Sequence, residues 1–141
     1  MHTNTRFAVG VHILTLLAQA GDEPITSDFM AGSVNTNPVV IRRVLGYLRR
    51  AGMVASQPGN RGGWTLRQRA EALTLRAIYQ AVVQEQAIAI HERPNPVCPV
   101  GRVIQRSLEQ VIDRAQEALE ASLGTTTIAD VLADVHRRAA A

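Results

Sequence analysis

The sequence is poor in the residues on which most catalytic, metal-binding and membrane proteins depend. Cys98 is the only cysteine, so no disulfide bond can form within one chain. No apolar run approaches the roughly 18 residues that a membrane-spanning helix needs, and the first residues lack the basic and apolar segments of a secretory signal. Lysine is absent, and aromatic residues make up 4% of the chain. We therefore expect a soluble, cytoplasmic protein with an aliphatic core and no membrane partner.

Sequence motifs of enzyme active sites are missing as well. The chain has no nucleophile elbow, phosphate-binding loop, dinucleotide fingerprint or paired-carboxylate motif. The four histidines, at positions 2, 12, 91 and 136, do not show the paired spacing of metal ligands. At 141 residues the chain has room for one domain and an appended element. The sequence thus predicts a protein that is not an enzyme and that has no metal site and no cofactor.

Positive charge is concentrated in the first half of the chain. All 15 basic residues are arginine. Residues 1–76 carry nine arginines against four acidic residues, a net charge of +5, whereas residues 77–141 carry six arginines against eight acidic residues, a net charge of −2. This asymmetry favours a polyanion such as nucleic acid as the partner of the first half, with a merely solvated surface as the alternative.

Three helices are predicted at the start of the chain. Residues 5–20 form an apolar helix, "ITSDFMAGSV" forms a short capped helix, and Asn37 and Pro38 begin a third helix that ends near Gly52. One face of the third helix is aliphatic and the other is cationic. The aliphatic positions are Ile41, Val44, Leu45 and Leu48, and the cationic face contains Arg42, Arg43, Gly46, Arg49 and Arg50. Guanidinium groups suit phosphate oxygens and guanine edges, so this face is a candidate nucleic-acid contact.

A β-hairpin is predicted directly after the third helix. The segments "MVASQ", "PGNRGG" and "WTLR" indicate two short strands joined by a tight turn. A helix-turn-helix followed by a hairpin with a basic tip is the winged-helix arrangement, in which the helix enters the major groove and the tip, here Arg61, reaches the DNA backbone or minor groove. We interpret Trp64 as an anchor of the hairpin rather than a base-stacking residue. A fourth helix from about Thr74 is expected to pack behind the hairpin.

The longest pattern covers residues 100–123 and predicts an amphipathic helix of about six turns. Such a helix is too long for a small domain to cover, so we expect it to pair with its copy in a second chain, with packing onto its own domain as the alternative. Its apolar stripe contains Ile104, Leu108, Val111, Ala115 and Leu119. The predicted fold is mainly α with a small β-hairpin wing: a winged helix-turn-helix domain (1–85), a linker or effector segment (86–99), and a C-terminal dimerisation helix with a closing helix (100–141).

Several segments resemble the IscR/NsrR/CymR-type family of winged helix-turn-helix transcriptional regulators. They are "RFAVGVHILTLLA", "NPVVIRRVLGYLRRAGMVASQPGNRGGWTL" and "TLRAIYQAV", and the resemblance extends over almost the whole chain. "NTNPVVIRRV" and "HERPNPVCPVG" are especially similar to its YwnA-like branch. The resemblance implies a homodimeric regulator, in our interpretation a repressor, that binds a pseudo-palindromic operator in double-stranded DNA.

The expected DNA contacts lie on the helix-turn-helix and on the hairpin. They are Ser27, Asn37, Val39, Val40, Arg42, Arg43, Arg49, Gly59, Arg61 and Gly62. Some relatives carry glutamate where this chain has Arg42, so their operators are a poor guide to its sequence preference. Cluster-binding relatives place three cysteines before the long helix, where this chain has Cys98 alone, and we therefore expect no iron–sulfur cluster of the usual kind.

Cys98 itself allows two interpretations. Pro99 suits the first position of the long helix, which would place Cys98 at the N-cap, where free N–H groups, Arg93 and Arg102 favour the thiolate. Such a thiol could respond to an oxidant or a small thiol, whereas an inert thiol in the core is the alternative. The surrounding segment, including His91 and Arg93, could instead bind a small anion or metabolite. A protein-binding adaptor on a winged-helix scaffold is the third functional alternative.

Overall fold

The computed structural model describes residues 5–141, which form six α-helices and one β-hairpin. The helices are α1 (Arg6–Ala20), α2 (Ser27–Val34), α3 (Pro38–Arg50), α4 (Leu75–Val82), α5 (Pro99–Leu123) and α6 (Ile128–Ala140). The strands are β1 (Val54–Gln57) and β2 (Gly63–Leu66). The predicted mainly α fold with a hairpin wing is confirmed. His2 and the first residues of the predicted 1–85 domain lie outside the described residues.

Side-chain caps explain where the helices of the helix-turn-helix begin. The hydroxyl of Thr26 accepts a hydrogen bond from the N–H of Phe29 at 3.1 Å, and Oδ1 of Asn37 accepts one from the N–H of Val39 at 2.8 Å. Pro38 occupies the first turn of α3, where its missing N–H costs no hydrogen bond. Local sequence therefore determines the start of both helices.

The hydrophobic core is built around α1, which contacts α2, α3, α4 and α6. Ile13 and Leu14 of α1 are completely buried. The predicted aliphatic face of α3 is also completely buried, and its members are Ile41, Val44, Leu45 and Leu48. Burying large aliphatic side chains contributes on the order of 1.5–3 kcal/mol each, so this face holds α3 in one orientation. The opposite, arginine-bearing face must then point to solvent.

The packing of α4 and α6 completes the domain. The main partners of α4 are α1, α3 and α5, so the expected packing of α4 behind the hairpin is wrong. Gly10 of α1 faces Ile78 of α4, and a Cβ at Gly10 would make an ordinary van der Waals contact with Cγ2 of Ile78 at 3.4 Å. The closing helix α6 packs against α1, and its Ile128 joins the common core. The division at residues 85 and 99 stays a prediction.

The hairpin is attached to the domain through the connection between α1 and α2. β1 and β2 are antiparallel, with Val54 opposite Leu66. Ile25 and Trp64 exchange two backbone hydrogen bonds, with N–O distances of 3.0 and 2.8 Å. Gly63 makes this approach possible, since a Cβ at its position would lie 2.7 Å from the carbonyl oxygen of Ile25. Trp64 packs against the core, as its predicted role of hairpin anchor requires.

The long helix α5 has 25 residues and is about 37 Å long. Ile112 is buried, but most side chains of α5 are exposed or half-buried. The helix contacts α4, and the segment between Val82 and Pro99 has no helix or strand. Among the described residues 5–141, no helix has the length and hydropathy to cross a membrane.

Candidate nucleic-acid interface

The exposed face of α3 is cationic, as predicted. Arg42, Arg43 and Arg49 are exposed, on the side of the helix away from the core. Within residues 5–141 none of these three guanidinium groups lies within 4.0 Å of a carboxylate. Their positive charge is therefore directed to solvent, and no ion pair among the described residues neutralises it. Such a face attracts phosphate groups.

Arg50 differs from the other arginines of α3 because it stacks on Tyr47. Its guanidinium carbon lies 5.0 Å from the Tyr47 ring centroid, and that of Arg6 lies 5.7 Å from the same ring. Arg6 also donates hydrogen bonds to both carboxylate oxygens of Glu85, at 3.0 and 3.1 Å. This cluster, which we call the Tyr47 cluster (Arg6, Tyr47, Arg50 and Glu85), joins α1, the end of α3 and the segment after α4. No local pattern in the sequence indicates this cluster, because Arg6 is 41 positions from Tyr47.

The tip of the hairpin presents Arg61 to solvent. The N–H of Gly62 donates a hydrogen bond to the carbonyl of Gly59 at 3.0 Å, which closes the turn. Gly59 has a φ of 105°, a conformation that other residues rarely adopt. A Cβ at Gly62 would collide with the carbonyl oxygen of Gln57. The conformation of the turn therefore requires glycine at both positions, in addition to their predicted closeness to DNA.

The remaining predicted DNA-contacting residues lie at the beginnings of α2 and α3. Ser27 is the first residue of α2 and is half-buried, but Thr26 is the residue that caps this helix. Asn37 is exposed, and its side chain caps α3. Val39 is 52% exposed, which is unusual for a valine in a well-packed helix. Val40 is half-buried. Asn37, Val39 and Val40 thus lie at the start of the helix that carries the arginine face, and Val39 is open to solvent.

Cys98 is exposed at the N-cap of α5, directly before Pro99 in the first turn. It therefore does not pack into the core of its own chain. Sγ does not accept a full capping hydrogen bond. The backbone N–H groups of Gly101 and Val100 nevertheless favour the thiolate and lower the pKa of the Cys98 thiol below its ordinary value.

The arginines expected to assist Cys98 do not contribute. Neither Arg93 nor Arg102 is among the causes that lower the pKa of Cys98. His91 and Arg93 are both exposed, and the carbonyl of His91 accepts a hydrogen bond from the side chain of Gln105 at 3.0 Å. Within residues 5–141 no hydrogen bond joins Cys98 to His91 or Arg93. These three predicted effector residues share a segment without forming one pocket.

The apolar stripe of α5 is divided between two environments. One edge faces the chain itself. Leu119 on this edge lines a cavity of about 290 Å³ together with Phe7 and Tyr79. Leu119 and Ala115 also line a second cavity, of about 230 Å³, together with Ile88. The other edge is uncovered, and Val111 on this edge is 50% exposed. Ile104 and Leu108 are half-buried between the two edges.

The model of the Rrf2 family, described as iron-dependent transcriptional regulators, matches residues 3–134. The residues of this chain do not fit an iron–sulfur cluster, which is usually held by three or four thiolates. Cys98 is the only thiol. In the described part of the chain, no group of three or more His, Cys, Asp or Glu side chains could hold a metal ion.

Relatives and solved structures support the same family. The chain is 41% identical over 130 residues to YwnA of Bacillus subtilis strain 168, assigned as an HTH-type transcriptional regulator, with 92% of this chain and 96% of YwnA covered. A crystal structure of a protein assigned as DNA-binding is 36% identical, with a TM-score of 0.72 and coverage of 90% of this chain and 98% of that one. CymR, the global cysteine regulator of B. subtilis, shares the fold at 24% identity, with a TM-score of 0.70 and coverage of 94% and 97%. The chain therefore belongs to the Rrf2 family of winged-helix transcriptional regulators and is not an enzyme.

Proposed function

We propose that this protein is a homodimeric repressor that binds a pseudo-palindromic operator, with α3 in the major groove and the hairpin tip at the adjacent backbone or minor groove. The observation that carries the proposal is the arginine face of α3. The exposed guanidinium groups of Arg42, Arg43 and Arg49 lie opposite a completely buried aliphatic face, so the core of the domain fixes the orientation of the helix that carries them. A regulator that works on bacterial DNA in this way is expected in the cytoplasm.

The proposed contacts follow from position along α3. Residues in the first half of a recognition helix reach base edges, so we assign base contacts to Arg42 and Arg43. The exposed Val39 is suited to an apolar contact, such as the methyl group of thymine. Arg49 in the last turn and Arg61 at the hairpin tip are suited to phosphates. Ser27, Asn37, Gly59 and Gly62 lie where a backbone or small polar group can approach the DNA closely.

Dimerisation is proposed through the uncovered edge of α5. Val111 and Val100 are 50% and 64% exposed, and both lie on the side of α5 that the chain leaves open. Pairing this edge with its copy would remove apolar surface from water. It would also place two α3 helices side by side, as two half-sites about one helical turn apart require. Ile104 and Leu108 would contribute from their half-buried positions and Ala115 from its exposed position, whereas Leu119 would support the helix on the side that faces its own chain.

We also propose that Cys98 adjusts DNA binding through thiol chemistry. The exposed position and the lowered pKa of the thiol support this second function. With a hydroperoxide, the thiolate sulfur attacks one oxygen, the O–O bond breaks, and water or an alcohol leaves after taking up a proton; the product is a sulfenic acid. The added polar oxygen sits between the winged domain and α5, where a small movement changes the spacing of the two recognition helices.

The experiment is selection of bound DNA from a random double-stranded pool, carried out with reduced wild type, peroxide-treated wild type and Cys98→Ser. Enrichment of a two-fold symmetric sequence with half-sites about one helical turn apart supports the proposal. If no sequence is enriched under any condition, DNA binding is not the main function and the adaptor alternative becomes the better one. If Cys98→Ser binds DNA normally and loses its response to peroxide, the thiol function is supported. An unchanged response in Cys98→Ser contradicts it, and the exposed segment around His91 and Arg93 is then the next place to look for an effector site.

A further inference from the structure

One cavity of the described chain is lined by residues outside both the proposed DNA-binding face and the segment around Cys98. It has a volume of about 550 Å³ and lies between α1 and α6, with contributions from the end of α2 and the start of α4. We call it the α1–α6 cavity; its walls include Val11, His12, Ser33, Val131 and Val135. This volume is within the range of small-molecule binding sites, about 300–1,000 Å³. The proposed function gives this space no role.

The chemistry of the walls specifies what the α1–α6 cavity could bind. Most of the lining is aliphatic or aromatic, and none of the lining residues is Asp, Glu, Lys or Arg. An ionised ligand would therefore lose water without meeting an Asp, Glu, Lys or Arg side chain of opposite charge. A neutral molecule with a mainly apolar body meets no such penalty.

One wall of the α1–α6 cavity carries a polar pair that can recognise a single group. Nε2 of His12 lies 2.9 Å from Oγ of Ser33, so this hydrogen bond joins α1 to the end of α2. The Ser33 hydroxyl has both donor and acceptor capacity, and the pair can turn toward a ligand without breaking. The nearby Thr15 hydroxyl is already used, because it donates to the carbonyl of Val11 at 2.7 Å.

The location of this pair connects the α1–α6 cavity to the DNA-reading helix. Ser33 is in the last turn of α2, and the chain turns through Asn35, at a φ of 61°, into Asn37, which caps α3. A ligand held by His12 and Ser33 would press on the end of α2 that sets the position of α3. Val131 and Val135 on α6 form the opposite wall, so the ligand would also bridge α6 and the helix-turn-helix.

We propose that the α1–α6 cavity binds a neutral, mainly apolar small molecule with one hydrogen-bonding group, and that its occupancy changes the affinity for DNA. The second part rests on the proposed function; the first part does not. A suitable probe is N-phenyl-1-naphthylamine, which is neutral and aromatic, carries one N–H, and becomes fluorescent when it leaves water. We expect one probe molecule to bind per chain of the full-length protein.

Ala8→Phe tests the site directly. Ala8 lines the α1–α6 cavity but is itself exposed, so a phenylalanine fills the space from the rim without disturbing the core. We expect the probe to bind at least tenfold more weakly. Ala133→Phe on α6 is the matched control, because Ala133 is exposed and does not line the cavity, and it should bind the probe like wild type. Ser33→Ala should weaken binding about two- to tenfold through the loss of one hydrogen bond.

The outcomes separate this proposal from the proposed function. Three results would overturn the site: no probe binding, equal probe binding by Ala8→Phe and Ala133→Phe, or probe binding that disappears as the chain dimerises. The third result would mean that a second copy covers the cavity. If Ala8→Phe is unfolded by circular dichroism, Val135→Phe at the opposite wall takes its place. Probe binding without any change in affinity for the selected DNA overturns the regulatory part alone. A chain that binds the probe but never binds DNA contradicts the proposed function and leaves the site intact.

Discussion

The proposed docking is tested most sharply by removing Arg61 from the hairpin tip. Arg61 is exposed and, within residues 5–141, forms no ion pair. Arg61→Ala therefore removes a charge without breaking an internal contact. The backbone of the turn is determined by Gly59 and Gly62, so the hairpin keeps its shape.

The expected size of the effect follows from counterion release. Each phosphate contact contributes about −0.9 to the slope of log K against log salt concentration. A homodimer loses two contacts, so the slope of Arg61→Ala should be shallower by about 1.8. Between 50 and 200 mM salt, the variant should then lose roughly tenfold less affinity than wild type. At low salt the variant should bind more weakly, and the loss should be nearly the same for operator and for unrelated DNA.

The assay is fluorescence anisotropy with a labelled duplex at several salt concentrations. Arg106→Ala is the matched control, because Arg106 is an exposed arginine of α5 on the side away from its apolar stripe. The control removes the same charge and should leave the slope unchanged. An unchanged slope for Arg61→Ala, or an equal change for both variants, would refute the contact and leave only a general effect of net charge.

Three further predictions concern the recognition helix, the dimer and the thiol. Arg42→Ala should relax the preference for one base pair in each half-site, with a loss of about 1–3 kcal/mol of discrimination per contact. The measurement compares the affinities for the selected duplex and for duplexes with single base-pair substitutions. A uniform loss of affinity on all DNA would reassign Arg42 to a phosphate contact. Val111→Asp should weaken dimerisation at least a hundredfold, which corresponds to about 3 kcal/mol, as measured by light scattering or sedimentation. The control Val135→Asp should remain dimeric. If Val111→Asp is dimeric as well, the interface lies elsewhere. The pKa of Cys98 is lowered in the folded state, so its thiolate persists to lower pH than in the unfolded chain. The rate of alkylation by iodoacetamide should therefore reach half its maximum at lower pH in native than in urea-unfolded protein. Equal midpoints would contradict the effect of the N-cap.

Features encoded in neighbouring residues could be predicted from the sequence. The start of α3 at Asn37 and Pro38, and the separation of its buried and arginine faces, depend on capping and on the helical period, both of which act over a few positions. The hairpin turn could be predicted from neighbouring residues as well, because Gly59 adopts a positive φ and Gly62 leaves no room for a Cβ beside the carbonyl oxygen of Gln57. Cys98 was placed at the N-cap of α5 for the same reason, because Pro99 suits the first turn of a helix.

Contacts between distant positions could not be predicted in this way. The Tyr47 cluster joins residues that are 41 and 79 positions apart, and no local pattern signals such a pair. The two hydrogen bonds between Ile25 and Trp64 depend on how the connection after α1 passes the hairpin. The packing of α6 on α1 likewise joins the two ends of the described chain, and no short-range pattern specifies it.

The sequence by itself determined the family, the winged-helix architecture and the arginines available for DNA, because each depends on residue identity and short-range periodicity. Only the tertiary structure decided that the arginines of α3 face solvent without an ion pair among the described residues, and that Arg6 and Arg50 both stack on Tyr47. It alone showed that the stripe of α5 is half covered by its own chain, and that α1 and α6 together line the α1–α6 cavity. The physical reason is that burial, stacking and enclosed volume arise from surfaces that meet after folding, and the linear order of residues does not specify which surfaces will meet.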